Sequence, residues 1–206
     1  MDEYKTILTT EYNVSMKNAA LTVAWIVGLV YSTVPTLWLA VHPFVEEWRA
    51  RRGKIYPLLG LIWMAMVVVL GLITWRWRFA QAYKTPWSIV VGGLLLAIAF
   101  GFYGKIGKSF GRDRLLGKME VQPQQHEQKL ITTGLHARMR HPIYLAHLVS
   151  LSGLTVASGL SVMFGLWMFA IITGAFMIRA EDAELEKRFG EEYRHYRNRV
   201  PAVLPF

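Results

Sequence analysis

The chain has 206 residues, 53% of them hydrophobic, with a mean hydropathy of +0.29 and a formal net charge of +9. Apolar runs of bilayer-spanning length recur, which excludes a soluble domain. The absence of cysteine excludes disulfides, thiolate zinc sites, iron–sulfur clusters and a cysteine nucleophile. The basic residues fall between the apolar runs, so anionic lipid headgroups account for the charge better than nucleic acid does.

Residues 1–18 are polar and carry Asp2, Glu3 and Glu11. They read as a short tail or surface helix, not as a basic cleavable leader. The first span is expected over Ala20 to Val41, with Pro35 inside it to kink it. A loop with Arg49, Arg51, Arg52 and Lys54 follows. The second span runs from Tyr56 to Trp75 and ends in WRWRF, where Trp75, Trp77 and Phe79 suit a headgroup belt. The third covers Trp87 to Tyr103. Gly104 to His141 is too polar and too basic to cross a bilayer.

Ile143 to Ile178 is 36 almost wholly apolar residues. As one helix it would measure roughly 54 Å against a ~30 Å crossing. Ser158, Gly159 and Ser161 offer a turn, so a hairpin of two short spans is expected. Gly153 and Ala157, four apart, allow another helix to approach closely. From Arg179 the chain is polar and helical in pattern. The expected fold is therefore an all-α integral membrane protein with five transmembrane helices. Of the 23 Lys and Arg residues, eighteen fall on one side of this arrangement and five on the other. The positive-inside rule puts the long loop and the C-terminus in the cytoplasm and the N-terminus outside.

Two polar features stand at that cytoplasmic face. GLHARMRHPIY, Gly134 to Tyr144, gathers His136, Arg138, Arg140 and His141 at the mouth of a helix that Pro142 opens. Free N–H groups and the positive dipole end there suit a polar or anionic ligand, or the segment is a basic collar at the headgroups. In RAEDAELEKRF, Glu181 shares a helix face with Leu185 and Phe189, so its carboxylate points toward protein or membrane surface. Glu184 reads as a surface charge paired with Lys187 or Arg188. The histidine spacings do not suit a metal site: His136 and His141 are five apart, His141 and His147 six. His147 reads as a hydrogen-bonded interior histidine. There is no P-loop or GxGxxG motif, and no internal repeat.

The order LITTG, RMRHPIY, apolar hairpin, RAEDAEL and FGEEYRHYRNRVP, from about Leu115 to Phe206, resembles the isoprenylcysteine carboxyl methyltransferase family. These are integral membrane enzymes related to the phospholipid N-methyltransferases. The resemblance implies an S-adenosylmethionine-dependent methyltransferase with a lipophilic or prenylated acceptor drawn from the bilayer. Residues 105–206 would supply a cytoplasmic helical cofactor pocket. Residues 1–104, the tail and first three spans, would form the substrate entrance. Carried over position by position, the cofactor contacts are Gln122, Gln128, Lys129, Leu130, Ile131, His136, His141, Pro142, Ile143, Tyr144 and Glu181. Arg140 and Arg179 are the candidate catalytic residues.

The chain departs from the family pattern in three ways. Gln128 stands where the family usually has histidine. His136 stands where it has tyrosine. Met177 holds the position of the substrate arginine of the eukaryotic prenylcysteine enzymes, and Arg179 lies about 200° around the helix from it. A carboxylate acceptor needs no general base; an amine or phenol needs one, for which Glu181 or His141 are the candidates. Phospholipid headgroup N-methylation, or a non-catalytic protein retaining the fold, are the competing readings.

Overall fold

The computed structural model describes residues 2–50, 55–110 and 129–204. Its helices are α1 (Asp2–Leu39), α2 (Val45–Ala50), α3 (Ile55–Thr74), α4 (Pro86–Phe110), α5 (Pro142–Ser158), α6 (Ser161–Phe189) and α7 (Glu191–Arg199). The described residues form no strand beyond an isolated bridge between Gln81 and Leu160.

The polar residues expected as a short tail or a surface helix are helical, and from Asp2 onward they form the start of α1, continuous with the first span. Residues 2–27 contain neither glycine nor proline, so nothing interrupts the helix before it enters the apolar run. Further along, Pro35 has no N–H for the carbonyl of Tyr31, four residues earlier. His147 of α5 replaces that donor: its Nε2 lies 2.6 Å from the Tyr31 carbonyl oxygen, and its ring stacks on the Tyr31 ring at 4.7 Å. A carbonyl freed inside an apolar bundle must find such a partner. His147 is thus an interior structural histidine.

Helices α1, α5 and α6 share the main core, built from Leu21, Trp25, Leu29, Leu151, Met163, Leu166 and Ala170. Helix α4 packs on α5 through small residues. A Cβ placed on Gly92 would lie 2.5 Å from the Gly153 carbonyl oxygen and 2.6 Å from the Ala157 Cβ. Backbones meet there at a distance that only glycine allows. The hairpin between α5 and α6 turns at Gly159, whose φ of 63° is the left-handed conformation natural to glycine. The segment after α3 caps this turn. Ala82 N–H donates to the Gly159 carbonyl (2.8 Å), Ser161 N–H to the Ala80 carbonyl (2.8 Å), and the Gln81 amide to the Ser158 carbonyl (2.9 Å).

Among the described residues, four helical segments are long and apolar enough to cross a membrane: Thr9–Ala50, Tyr56–Trp77, Pro86–Gly107 and Ser161–Phe189. Pro142–Ser158 is apolar but shorter, with 17 residues. The outward faces carry exposed Leu61, Met64, Val68, Leu72, Ile89, Leu94 and Ile98. Such a surface is stable against lipid and not against water. Helix α6 is continuous where a hairpin span and a separate tail helix were expected. Its 29 residues measure roughly 44 Å, so its last turns project beyond a ~30 Å hydrocarbon layer. Those turns carry the charged residues from Arg179 onward.

Candidate active site

The projecting end of α6 meets three other segments: the start of α5, helix α7, and the end of α1 with its following turn. They enclose one cavity. Val34, Pro35, Trp38 and His42 line it from the α1 side, and Lys129, Leu130, Ile131 and His136 from the segment before α5. Arg140 to Tyr144 line it at the α5 entrance, Met177, Glu181, Leu185, Arg188 and Phe189 along α6, and Tyr193 and Tyr196 on α7. The predicted face of Glu181, Leu185 and Phe189 therefore points into this space.

An ionic hub holds the corner. Asp182, 5% exposed, accepts from the Arg140 guanidinium through both oxygens: Nη2 to Oδ2 at 2.7 Å and Nε to Oδ1 at 3.3 Å. It also takes His141 Nε2 at 2.9 Å and the Tyr193 hydroxyl. The other imidazole nitrogen, His141 Nδ1, lies 3.0 Å from Glu181 Oε2. Main-chain bonds complete the corner. Arg140 N–H donates to the Pro201 carbonyl and His141 N–H to the Ala202 carbonyl, each at 2.9 Å. The Arg140 Nη1 donates to the Val200 carbonyl at 2.5 Å, and the Tyr196 hydroxyl to the His136 carbonyl at 2.6 Å. The segment after α7 is thereby tied across the mouth of α5.

Burial alone would strip the proton from His141, but Glu181 and Asp182 outweigh it and push the imidazole up to about 9. At neutral pH it is an imidazolium donating to both carboxylates. Burial first, and then the neighbouring Asp182 carboxylate, push the Tyr193 phenol up, so it remains a neutral donor. Of the two acidic side chains, Asp182 is sealed while Glu181 remains 30% accessible. Glu181 is the carboxylate with acceptor capacity left for a ligand.

Ten of the sequence-predicted residues line this cavity: Lys129, Leu130, Ile131, His136, Arg140, His141, Pro142, Ile143, Tyr144 and Glu181. Pro142 opens α5 as its first residue. Tyr144 contributes ring surface, but its hydroxyl is engaged, donating to the Ala170 carbonyl at 2.7 Å. Arg140 is held by Asp182 and the tail carbonyls. Arg179 is exposed and lies outside the lining, with its guanidinium 6.0 Å from the Phe176 ring centroid. Gln122 and Gln128 lie outside the described residues.

One surface assignment is corrected. Glu184 is 5% exposed, paired with Arg188 at 2.7 Å and Arg49 at 3.5 Å. The Arg188 pairing has the expected four-residue spacing. The burial comes from the His42–Ala50 segment folding over that side of α6. The sequence reading also missed Asp182, whose partners lie 42 residues upstream and 11 downstream, and His42 and Trp38, which belong to the first half of the chain. The available signal for Asp182 was its place beside Glu181, opposite an Arg-His pair of matching charge.

No group of three or more His, Cys, Asp or Glu among the described residues is arranged to hold a metal ion. What the arrangement offers is a mostly apolar cavity with an accessible carboxylate, aromatic walls and a rigid ionic corner. No curated protein and no solved structure matches the chain. The phospholipid methyltransferase family matches residues 87–192, which carry nearly all of α4, α5, α6, the Arg140, His141, Glu181 and Asp182 members of the ionic hub and most of the cavity wall. With just over half of its length matched, this all-helical, membrane-type chain belongs to the phospholipid methyltransferase family, the integral membrane methyltransferases related to the isoprenylcysteine carboxyl methyltransferases.

Proposed function

We infer that the cavity binds S-adenosylmethionine and that the protein transfers its methyl group to a lipophilic acceptor reached from the bilayer. The observation that carries this reading is Glu181: a part-accessible carboxylate on a cavity wall, fixed by an imidazolium, within the family-matched segment. The residues present suit the ligand. Glu181 can accept from N–H or O–H groups, and Trp38 and Phe189 line the cavity as aromatic surface for a flat ring and a cation. Bound there, S-adenosylmethionine supplies an electrophilic methyl on a sulfonium.

The chain's own part is alignment and exclusion of water. Arg140 and Asp182 act as positioning residues that keep His141, and through it Glu181, in place. Lys129, Leu130, Ile131, His136, Pro142, Ile143 and Tyr144 form the remaining cofactor wall, with Gln122 and Gln128 as its proposed extension. We assign α5 as a fifth, short span, and the cavity and C-terminus to the cytoplasmic side. The charge distribution supports that orientation.

The motif resemblance carries a carboxylate acceptor of the isoprenylcysteine type, with Arg179 as the candidate partner for its charge. A specific observation favours a second class, a head group whose attacking nitrogen or oxygen carries a proton. Met177 occupies the cavity position where a carboxylate would need a cation, Arg179 lies outside the lining, and of the lining cations other than Lys129 both Arg140 and Arg188 are held in ion pairs. Incubation with methyl-labelled cofactor and total membrane lipid extract, followed by identification of the labelled product, tests both. A labelled methyl ester supports the first class, a labelled amine or ether the second, and no labelled lipid contradicts the function.

A further inference from the structure

A second cavity lies against the other side of α6. It is lined by Pro43, Glu46, Glu47 and Arg49 on the α2 side and by Glu184 and Lys187 on α6, and it shares His42 and Arg188 with the first. His42 is therefore part of the wall between the two spaces. Its ring is 6% exposed and stacks on Trp38 at 5.6 Å, and its Nδ1 has no hydrogen-bond partner among the described residues. A buried imidazole nitrogen left unpaired is destabilising unless something else engages it. The two residues that sequence reasoning offers as bases are poor ones: both His141 nitrogens face carboxylates, and, against burial, the His141 imidazolium holds the Glu181 carboxyl down to about 2, so it still accepts hydrogen bonds but is a weak base.

We propose that His42 is the proton acceptor of methyl transfer, with the methyl donor in the first cavity and the acceptor's head group reaching it past His42 from the second. This rests on the methyltransferase reading above and on the proton-bearing acceptor class. The lone pair of the acceptor N–H or O–H forms the new bond to carbon while the sulfonium carbon–sulfur bond breaks toward sulfur. The acceptor's proton passes to the His42 imidazole, leaving a methylated acceptor, a neutral thioether and an imidazolium that later loses its proton to water. The charged groups facing His42 are Glu181, Glu184 and Arg188 from α6, His141 from the α5 entrance, and Glu46, Glu47 and Arg49 from α2. The carboxylates among them are placed to stabilise the imidazolium once it forms.

The test uses the full chain in lipid nanodiscs, with His42→Asn and His42→Gln. Affinity for S-adenosylhomocysteine is read by calorimetry, and methyl transfer is followed against pH on the acceptor identified from the lipid extract. We expect both variants to bind S-adenosylhomocysteine within about twofold of wild type and to lose roughly 10²–10⁴ in turnover. The acid limb of the wild-type pH profile should be absent in them, and added imidazole should restore part of the rate to His42→Asn. Unchanged turnover and profile in either folded variant overturns the proposal. So does a fall in turnover matched by an equal fall in S-adenosylhomocysteine affinity, which is the mark of a structural residue. A methyl ester as the labelled product also overturns it, while leaving the methyltransferase reading intact. Wild-type protein that binds no S-adenosylhomocysteine removes both.

Discussion

Asp182→Asn is the most revealing single change at this site. The two carboxylate oxygens of Asp182 face only donors: Arg140 Nε and Nη2, His141 Nε2 and the Tyr193 hydroxyl. An asparagine of the same shape keeps one acceptor oxygen and turns an NH₂ toward the Arg140 guanidinium or the His141 imidazolium, neither of which can accept from it. It also leaves the Arg140 guanidinium, whose side chain is 9% accessible, without its counter-charge. Removing one partner of a buried ion pair costs about 3–5 kcal/mol. That is a large share of the stability of an ordinary domain. Because Arg140 also holds the Val200 and Arg197 carbonyls, the loss should loosen the segment after α7 as well. Reversible unfolding of purified protein in mixed micelles measures the change, with Glu181→Gln as comparator. Glu181 is 30% accessible, and His141 keeps Asp182 when Glu181 is neutralised, so about 1 kcal/mol is expected there. A loss below 1 kcal/mol in Asp182→Asn, or equal losses in the two variants, would refute the hub.

Gly174→Ala should destabilise by about 1–3 kcal/mol or displace Tyr144, because the added Cβ would sit 1.5 Å from the Tyr144 hydroxyl oxygen; the unfolding assay and Tyr144 fluorescence against a Tyr144→Phe background read it. Glu184→Gln should cost about 1–3 kcal/mol, since it neutralises a buried partner of Arg188 and Arg49, whereas exposed Glu191→Gln should stay within about 0.5 kcal/mol; the same assay separates them. His141 is raised from an ordinary 6.5 to about 9, so its contribution to stability is complete below about pH 6.5 and fades as pH rises through 9. Unfolding free energy followed from pH 6 to pH 10 should therefore fall in the wild type and fall less in His141→Gln.

Some of this architecture was legible in the residues because the forces involved are local. The α5–α6 turn follows from Gly159 in an apolar run too long for one crossing. The close contact at Gly153 and Ala157 follows from the absence of side-chain bulk. The cavity face of α6 follows from the spacing of Glu181, Leu185 and Phe189. What escaped depends on contacts distant in sequence. Glu184 has the four-residue spacing of an ordinary surface pair with Arg188, and only the fold of the His42–Ala50 segment over α6 buries it. Asp182 is marked in the sequence only by its place beside Glu181, and its role appears once Arg140 and Tyr193 converge on it. The polarity of residues 1–18 suits a tail or a surface helix equally, and their continuity with the first span in one helix is not marked by polarity. His42 lies in the half of the chain without motif signals, and its importance appears only once α1 and α6 are side by side.

Titration of S-adenosylhomocysteine into purified wild-type and Glu181→Gln protein tests most directly whether this cavity is a methyltransferase cofactor site. We expect saturable binding to the wild type and a roughly tenfold to hundredfold weaker affinity in Glu181→Gln, the effect of about 1–3 kcal/mol for ligand donors left unpaired. No saturable binding to the wild type, or the same affinity in both proteins, would contradict it.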